Sequence, residues 1–175
     1  MAVGGHHLSE GLVSDRELPA GKGLPLSQGE PDLPPLETLT GDVEAMRGIL
    51  AHGAEGDPNP AVRQFELGSR IALEPGLDSE VRAAALEALS ELEGITLDKD
   101  ARDELGRRGV SVEILEPAGS GPSPVRHILI FDPDDAAILS GEDRYLKPVR
   151  FQDGNISSAT VLQAHGVVPD TRSAL

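Results

Sequence analysis

A chain of 175 residues with a formal charge of −15 is the size of one domain. Its acidity argues against nucleic acid and anionic membranes as partners, because binding phosphate needs a concentrated Lys/Arg surface. The absence of cysteine excludes disulfides, thiolate metal sites and a cysteine nucleophile together. Leu, Ile, Val and Phe supply 46 residues, enough for a core, but three Phe, one Tyr and no Trp make that core aliphatic and leave little for stacking on sugars or bases.

Residues 1–36 collect Gly and Pro, among them Gly4, Gly5, Pro19, Gly21, Pro25, Pro31, Pro34 and Pro35. They carry few periodic apolar positions and are expected to form a poorly ordered arm. Residues 37–170 read as one helix-then-strand domain, followed by a tail over 171–175. A first helix is expected over 42–51, capped by Thr40 or Gly41, with Val43, Met46, Ile49 and Leu50 on one face. A second opens with Asn59 as cap and Pro60 at the first helical position, where the missing N–H costs nothing. Val62, Phe65, Ser69 and Ala72 share its stripe, and Pro75-Gly76 stops it. The third starts at Asp78 or Ser79 and carries Val81, Ala84, Ala85, Ala88, Leu89 and Leu92 at three- and four-residue spacing. That spacing predicts Val81, Ala85, Leu89 and Leu92 mostly buried and Glu80, Glu87 and Glu91 exposed, with Gly94 supplying the left-handed C-terminal position.

Beyond Gly94 the period changes from that of a helix to that of a strand. A short strand is expected over 95–97, a charged turn or single helical turn over 99–108, and a half-buried strand through Val110, Val112 and Ile114. The most strand-like run is 125–131. Asp132-Pro133-Asp134-Asp135 is turn chemistry, from which 138–146 returns antiparallel. One further strand is expected over 156–168, bent near 164–166. Helices first and strands after imply an α+β fold, with two or three helices on one face of a four- or five-stranded antiparallel sheet.

Motifs for chemistry are scarce. The histidines at 6, 7, 52, 127 and 165 show no metal-ligand spacing. His6-His7 reads as a surface pair. His127 alternates with Arg126 and Ile128 and reads as structural or solvent-facing. Asp132, Asp134 and Asp135, followed by Glu142 and Asp143, form a weak metal candidate, but a calcium loop needs Gly where Ala137 stands and Glu where Asp143 stands. A turn role is therefore preferred. Gly119-Ser120-Gly121 is not a nucleophile elbow, and Gly21-Lys22-Gly23 lacks the rest of a phosphate loop. No catalytic residue, cofactor or metal is expected. Between Ser27 and Asp100, sixteen acids oppose five bases, so the helical part should be the acidic face. No apolar run approaches the roughly 18 to 20 residues that span a bilayer. Residues 1–9 lack the charged start and apolar middle of a signal peptide, so the sequence reads as a soluble chain without its own export route.

Three segments carry a resemblance: Val81-Arg-Ala-Ala-Ala-Leu-Glu-Ala-Leu-Ser-Glu-Leu-Glu-Gly94 with Ile95-Thr-Leu-Asp98, then Ala101-Arg-Asp-Glu-Leu-Gly-Arg-Arg-Gly109-Val110, then Leu129-Ile-Phe-Asp-Pro133 with Ile138-Leu-Ser-Gly-Glu142. Over roughly residues 36–170 the chain resembles the end of the extracytoplasmic domain in a family of actinobacterial membrane-anchored proteins of unknown function. The resemblance implies a helix and antiparallel-sheet domain, similar to the curved sheets of lipoprotein-carrier-like periplasmic proteins, and it carries over no catalytic residue. Members of that family have a cytoplasmic tail, one membrane helix and more sheet before the helices. The expectation is therefore a truncated product or a short relative, with an open strand edge that invites self-association.

The leading functional expectation is a non-enzymatic sensor-like or ligand-binding domain of an envelope-anchored protein, with an apolar groove between helices and sheet that takes a lipid or peptide. The alternative is a soluble acidic module docking a basic partner, recognised by a filled core and a single-sign patch on the helices. An enzyme of unknown type ranks third.

Overall fold

The computed structural model describes residues 34–118 and 123–146, and the backbone of Ile156–Val161. All but the last three residues of the expected arm, the bend near 164–166 and the tail 171–175 lie outside the described residues. Among the described residues, three helices, α1 (Val43–Gly53), α2 (Pro60–Leu73) and α3 (Ser79–Ser90), precede five strands: β1 (Thr96–Arg102), β2 (Arg108–Glu116), β3 (Val125–Phe131), β4 (Ile138–Tyr145) and β5 (Ile156–Val161). The strands form one antiparallel sheet in the order β1-β2-β3-β4-β5. The fold is α+β.

Local chemistry sets the helix ends, not always through the residues expected. The cap of α1 is Asp42, whose Oδ1 accepts the Ala45 amide at 2.9 Å, rather than Thr40 or Gly41. A carboxylate there also meets the positive end of the helix dipole. Asn59 takes the N-cap position of α2 and Pro60 follows it, yet the Asn59 side chain makes no capping bond; its own amide is taken by Asp57 Oδ1 at 2.7 Å. Asp78 caps α3 through the Glu80 amide.

The C-terminus of α2 is closed by a buried cation. Arg82 on α3 is 6% exposed and donates from Nε to the Ala72 carbonyl at 3.0 Å and from Nη2 to the Leu77 and Glu74 carbonyls at 3.2 and 3.5 Å. It satisfies acceptors that a helix end leaves open. Burial lowers the Arg82 pKa, and the charges of Asp135 and Asp78 oppose that effect.

α3 is buried on more of its circumference than its stripe predicts. Val81, Ala84, Ala85, Ala88 and Leu89 of the stripe are buried and Glu80, Glu87 and Glu91 exposed, but Arg82 and Leu86 are buried as well. The reason is its position: α3 packs against α1, α2 and β2 at once. Leu92 lies beyond the helix and is only partly buried. A close approach of α2 and α3 depends on Gly68, since a Cβ there would lie 2.6 Å from Cδ2 of Leu89. Met46, Leu50, Leu67, Ile71, Leu89, Val112 and Leu129 are fully buried and fill the space between helices and sheet.

The charged turn expected over 99–108 is a strand for its first half. β1 runs to Arg102, and the turn shrinks to residues 103–107. Only Ala101 in β1 is buried, so no apolar alternation announced the strand. The turn is organised by Asp103, whose carboxylate accepts from the amides of Leu105 and Arg107 and from Arg107 Nε, with Gly106 at φ 79°. Burial works to raise the Asp103 pKa, but these bonds and the Arg107 charge outweigh it and hold the carboxyl below its usual range. As an edge, β1 is exposed, charged through Asp98, Lys99, Asp100 and Arg102, and interrupted by an irregularity between Asp98 and Ala101. Those features blunt pairing with another chain, so β1 is not the open apolar edge that was expected.

At Gly109 the β1–β2 hairpin comes close to β3 and β4. A Cβ at Gly109 would stand 2.5 Å from the Phe131 carbonyl oxygen and 3.0 Å from side-chain atoms of Ile130 and Leu139. From the hairpin tip, Arg107 Nη2 reaches the Leu139 carbonyl at 2.9 Å. Leu139 is an inserted residue: Phe131 pairs with Ile138, but Ile130 pairs with Ser140. A bulge leaves the extra residue outside the ladder, and this one supplies the acceptor that Arg107 uses.

Candidate functional site

The helix-facing side of the sheet presents His127 from β3 and Asp143 from β4, directly paired across the two strands. The neighbouring β2 pairs Ile114 with His127, which sets Glu116 one diagonal away on the same face. His127 Nδ1 lies 2.7 Å from Asp143 Oδ1 and Nε2 lies 3.2 Å from Glu116 Oε2. The bond to Asp143 is the strongest influence on the ring; burial opposes it, Glu116 adds to it, and the net effect raises the His127 pKa above the usual histidine range. Held in this way, both ring nitrogens are engaged by carboxylate oxygens.

Helix α2 covers this constellation. Phe65 tilts over the imidazole with ring centroids 6.4 Å apart. One turn on, Ser69 contributes a buried hydroxyl without a hydrogen-bond partner among the described residues. Together with Leu73, Leu129 and Gly141 these groups line an open cleft of about 270 Å³ between α2 and the β3–β4 pair, with Glu66 and Arg70 at its edge. Glu66 is paired with Arg63 at 3.3 Å. The cleft thus has an apolar floor, an imidazole fixed by two carboxylates, and acids and the Ser69 hydroxyl around it. It differs from the continuous aliphatic groove expected for a lipid, because the large aliphatic side chains of α2 and α3 pack on one another and on the sheet.

The opposite face of the sheet carries its own charged pairs. Glu142 is buried and accepts from Arg144 Nε at 2.8 Å, while Glu113 accepts from the Ser111 hydroxyl at 2.8 Å. Both carboxylates are thereby engaged in bonds within the sheet.

The weak metal candidate is a turn in the structure. Asp132 Oδ1 accepts the Asp134 amide and Asp135 Oδ1 accepts the Ala137 amide, each at 2.9 Å, while Ala136 takes a positive φ of 60°. Among the described residues no group of three or more His, Asp or Glu side chains converges as metal ligands. None of Asp132, Asp134 and Asp135 lines the cleft.

The constellation of His127, Asp143 and Glu116 escaped the sequence reading. Strand alternation put His127 between Arg126 and Ile128 but did not say which strands flank it or in what register. Comparison with family models, with curated proteins and with solved structures found no match for this chain.

Proposed function

We propose that this chain is a non-enzymatic, sensor-like ligand-binding domain whose receptor surface is the cleft between α2 and the β3–β4 strand pair. The observation that carries the reading is His127, fixed by two carboxylates beneath Phe65 at the mouth of a cleft. Its bonds make it a rigid polar handle, and preorganised polar groups beside an apolar floor are the usual anatomy of a small-ligand site. The same bonds weigh against general acid–base catalysis, which needs a ring nitrogen free to exchange its proton with substrate. Ser69, although near His127 and Asp143 in the cleft lining, has no free imidazole nitrogen to activate it. The ligand this cleft fits has a compact apolar body against Phe65, Leu73 and Leu129 and a polar end at Ser69 and His127. By its sequence resemblance the domain would be the extracytoplasmic part of a membrane-anchored protein. Among the described residues no helix is long and apolar enough to cross a membrane.

The test is a fragment titration followed by amide chemical shifts. Fragments with an apolar ring and one acceptor group are expected to move resonances of residues 65–73, 127–129 and 141–143 together, and Phe65→Ala is expected to abolish the response. Fragment hits confined to other parts of the molecule would remove the cleft from consideration. A second reading, an acidic module docking a basic partner, draws on the exposed Glu87, Glu93, Asp98 and Asp100 at the C-terminal end of α3 and along β1.

A further inference from the structure

Glu74 closes α2, and its side chain is in an unfavourable place. The residue is 8% exposed, and among the described residues no hydrogen bond or ion pair reaches its carboxylate; only its backbone is used, the amide donating to the Ile71 carbonyl and the oxygen accepting from Arg82 and the Leu77 amide. Burial pushes its pKa up, with no compensating charge. An unpaired carboxylate on a residue this enclosed lowers the stability of a fold. Glu74 lines a second cleft, of about 350 Å³, which shares no lining residue with the His127 cleft. Its walls are Leu36, Leu39, Leu77 and Val81, with the exposed acids Glu37 and Asp78 at the rim. The cleft lies at the C-terminus of α2, where the helix dipole favours positive charge, in a chain of net charge −15 that gathers cations.

We propose that this second cleft is a binding site for a primary ammonium on an aliphatic stem, the stem lying against Leu36, Leu39, Leu77 and Val81 and the ammonium meeting the Glu74 carboxylate. The aliphatic walls suit a methylene chain. Arg82 hydrogen-bonds the backbone carbonyls of Ala72, Glu74 and Leu77 and not the Glu74 carboxylate, which is left for another cation. Both a lysine side chain of a protein partner and a free alkylamine present this chemistry. The site stands independently of the reading of the His127 cleft.

The experiment titrates the full chain with n-pentylamine, n-pentanol and the peptide acetyl-Gly-Lys-Gly-amide, following amide shifts of residues 36–39 and 74–81 and the side-chain carboxyl of Glu74. The amine is expected to bind with a dissociation constant on the order of millimolar, the alcohol at least about tenfold more weakly, and the Glu74 pKa to fall on saturation with amine. Glu74→Gln is expected to weaken the amine at least about tenfold, while Asp143→Asn, in the other cleft, leaves it unchanged. Tighter binding of the peptide than of n-pentylamine identifies a protein partner as the source, and the reverse a small amine. Equal shifts from amine and alcohol, full amine binding by Glu74→Gln, or no response at these residues up to about 50 mM amine would overturn the proposal. The carboxyl titration is made on the unaltered chain, so it decides the question even if the variant fails to fold.

Discussion

Replacing Arg82 with Met tests whether a buried cation on α3 ties down the end of α2. Methionine keeps an unbranched apolar stem in the same space and removes the guanidinium. Two well-formed bonds are lost, to Ala72 at 3.0 Å and Leu77 at 3.2 Å, with a weaker one to Glu74 at 3.5 Å. Bonds from charged donors contribute about 1.5 to 3 kcal/mol each, and a buried carbonyl left without a donor costs about 1 to 3 kcal/mol. Against that, Arg82 is itself desolvated, as its lowered pKa shows, and its removal recovers part of the loss. The balance is a destabilisation of about 2 to 4 kcal/mol, a large share of the about 5 to 15 kcal/mol that holds a domain folded. In equilibrium urea denaturation, with a slope of about 2 kcal/mol/M, the midpoint should fall by about 1 to 2 M. Arg82→Lys should lie between wild type and Met, because one ammonium lacks the fork that spans separated carbonyls. Amide exchange at Leu77 should quicken in both variants. A midpoint for Arg82→Met within about 0.3 M of wild type would refute the argument and mean that water serves these carbonyls equally well.

Gly68→Ala is expected to destabilise the wild type by about 1 to 3 kcal/mol through overpacking, since the new Cβ meets the fully buried Leu89 at 2.6 Å. In a Leu89→Ala background it should be neutral or stabilising, because Ala favours a helix over Gly by about 1 kcal/mol; the same sign in both backgrounds would count against the contact. For His127 the raised folded pKa means that its stabilisation is complete below the unfolded value of about 6.5 and is lost as pH rises through the folded pKa. Asp143→Asn should lower the His127 pKa in an NMR titration and shrink that loss of stability. Glu74 shows the same direction from a different cause: burial raises its pKa, so its charge costs nothing below its ordinary 4.5 and destabilises progressively as pH rises through the folded pKa. Glu74→Gln should therefore raise the urea midpoint at pH 7 and have little effect at pH 4. Millimolar calcium should leave the melting temperature unchanged, because Asp132 and Asp135 already accept local amides; a rise of several degrees would show that the turn can open into a ligand loop.

Much of this molecule is legible without coordinates. Pro60 after Asn59, Asp78 before a run of alanines and leucines, and Gly94 at φ 83° are local signals, and local signals act within a few residues, where the sequence itself is the environment. β3 was recognisable for the same reason: the run Val125–Phe131 has the composition of a half-buried strand, and the Asp132-Pro133 turn closes on itself. β1 was legible only at its start, Thr96 and Leu97, because an exposed edge strand needs no apolar alternation, and its seven residues bury only Ala101.

The candidate site depended on long-range register. Extending the Phe131 to Ile138 pairing without a slip would set Glu142 opposite His127; the extra residue Leu139 shifts the ladder, so Asp143 meets the ring and Glu142 turns to the other face. A single inserted residue exchanges the faces of everything beyond it, and no periodicity within one strand reports such an insertion in its partner. Arg82 carries the same lesson, since a charged residue in a helical sequence looks like a surface position. Only the meeting of α2, α3 and the sheet decided that it would be buried, because only there do the open carbonyls of α2 come within reach of its guanidinium.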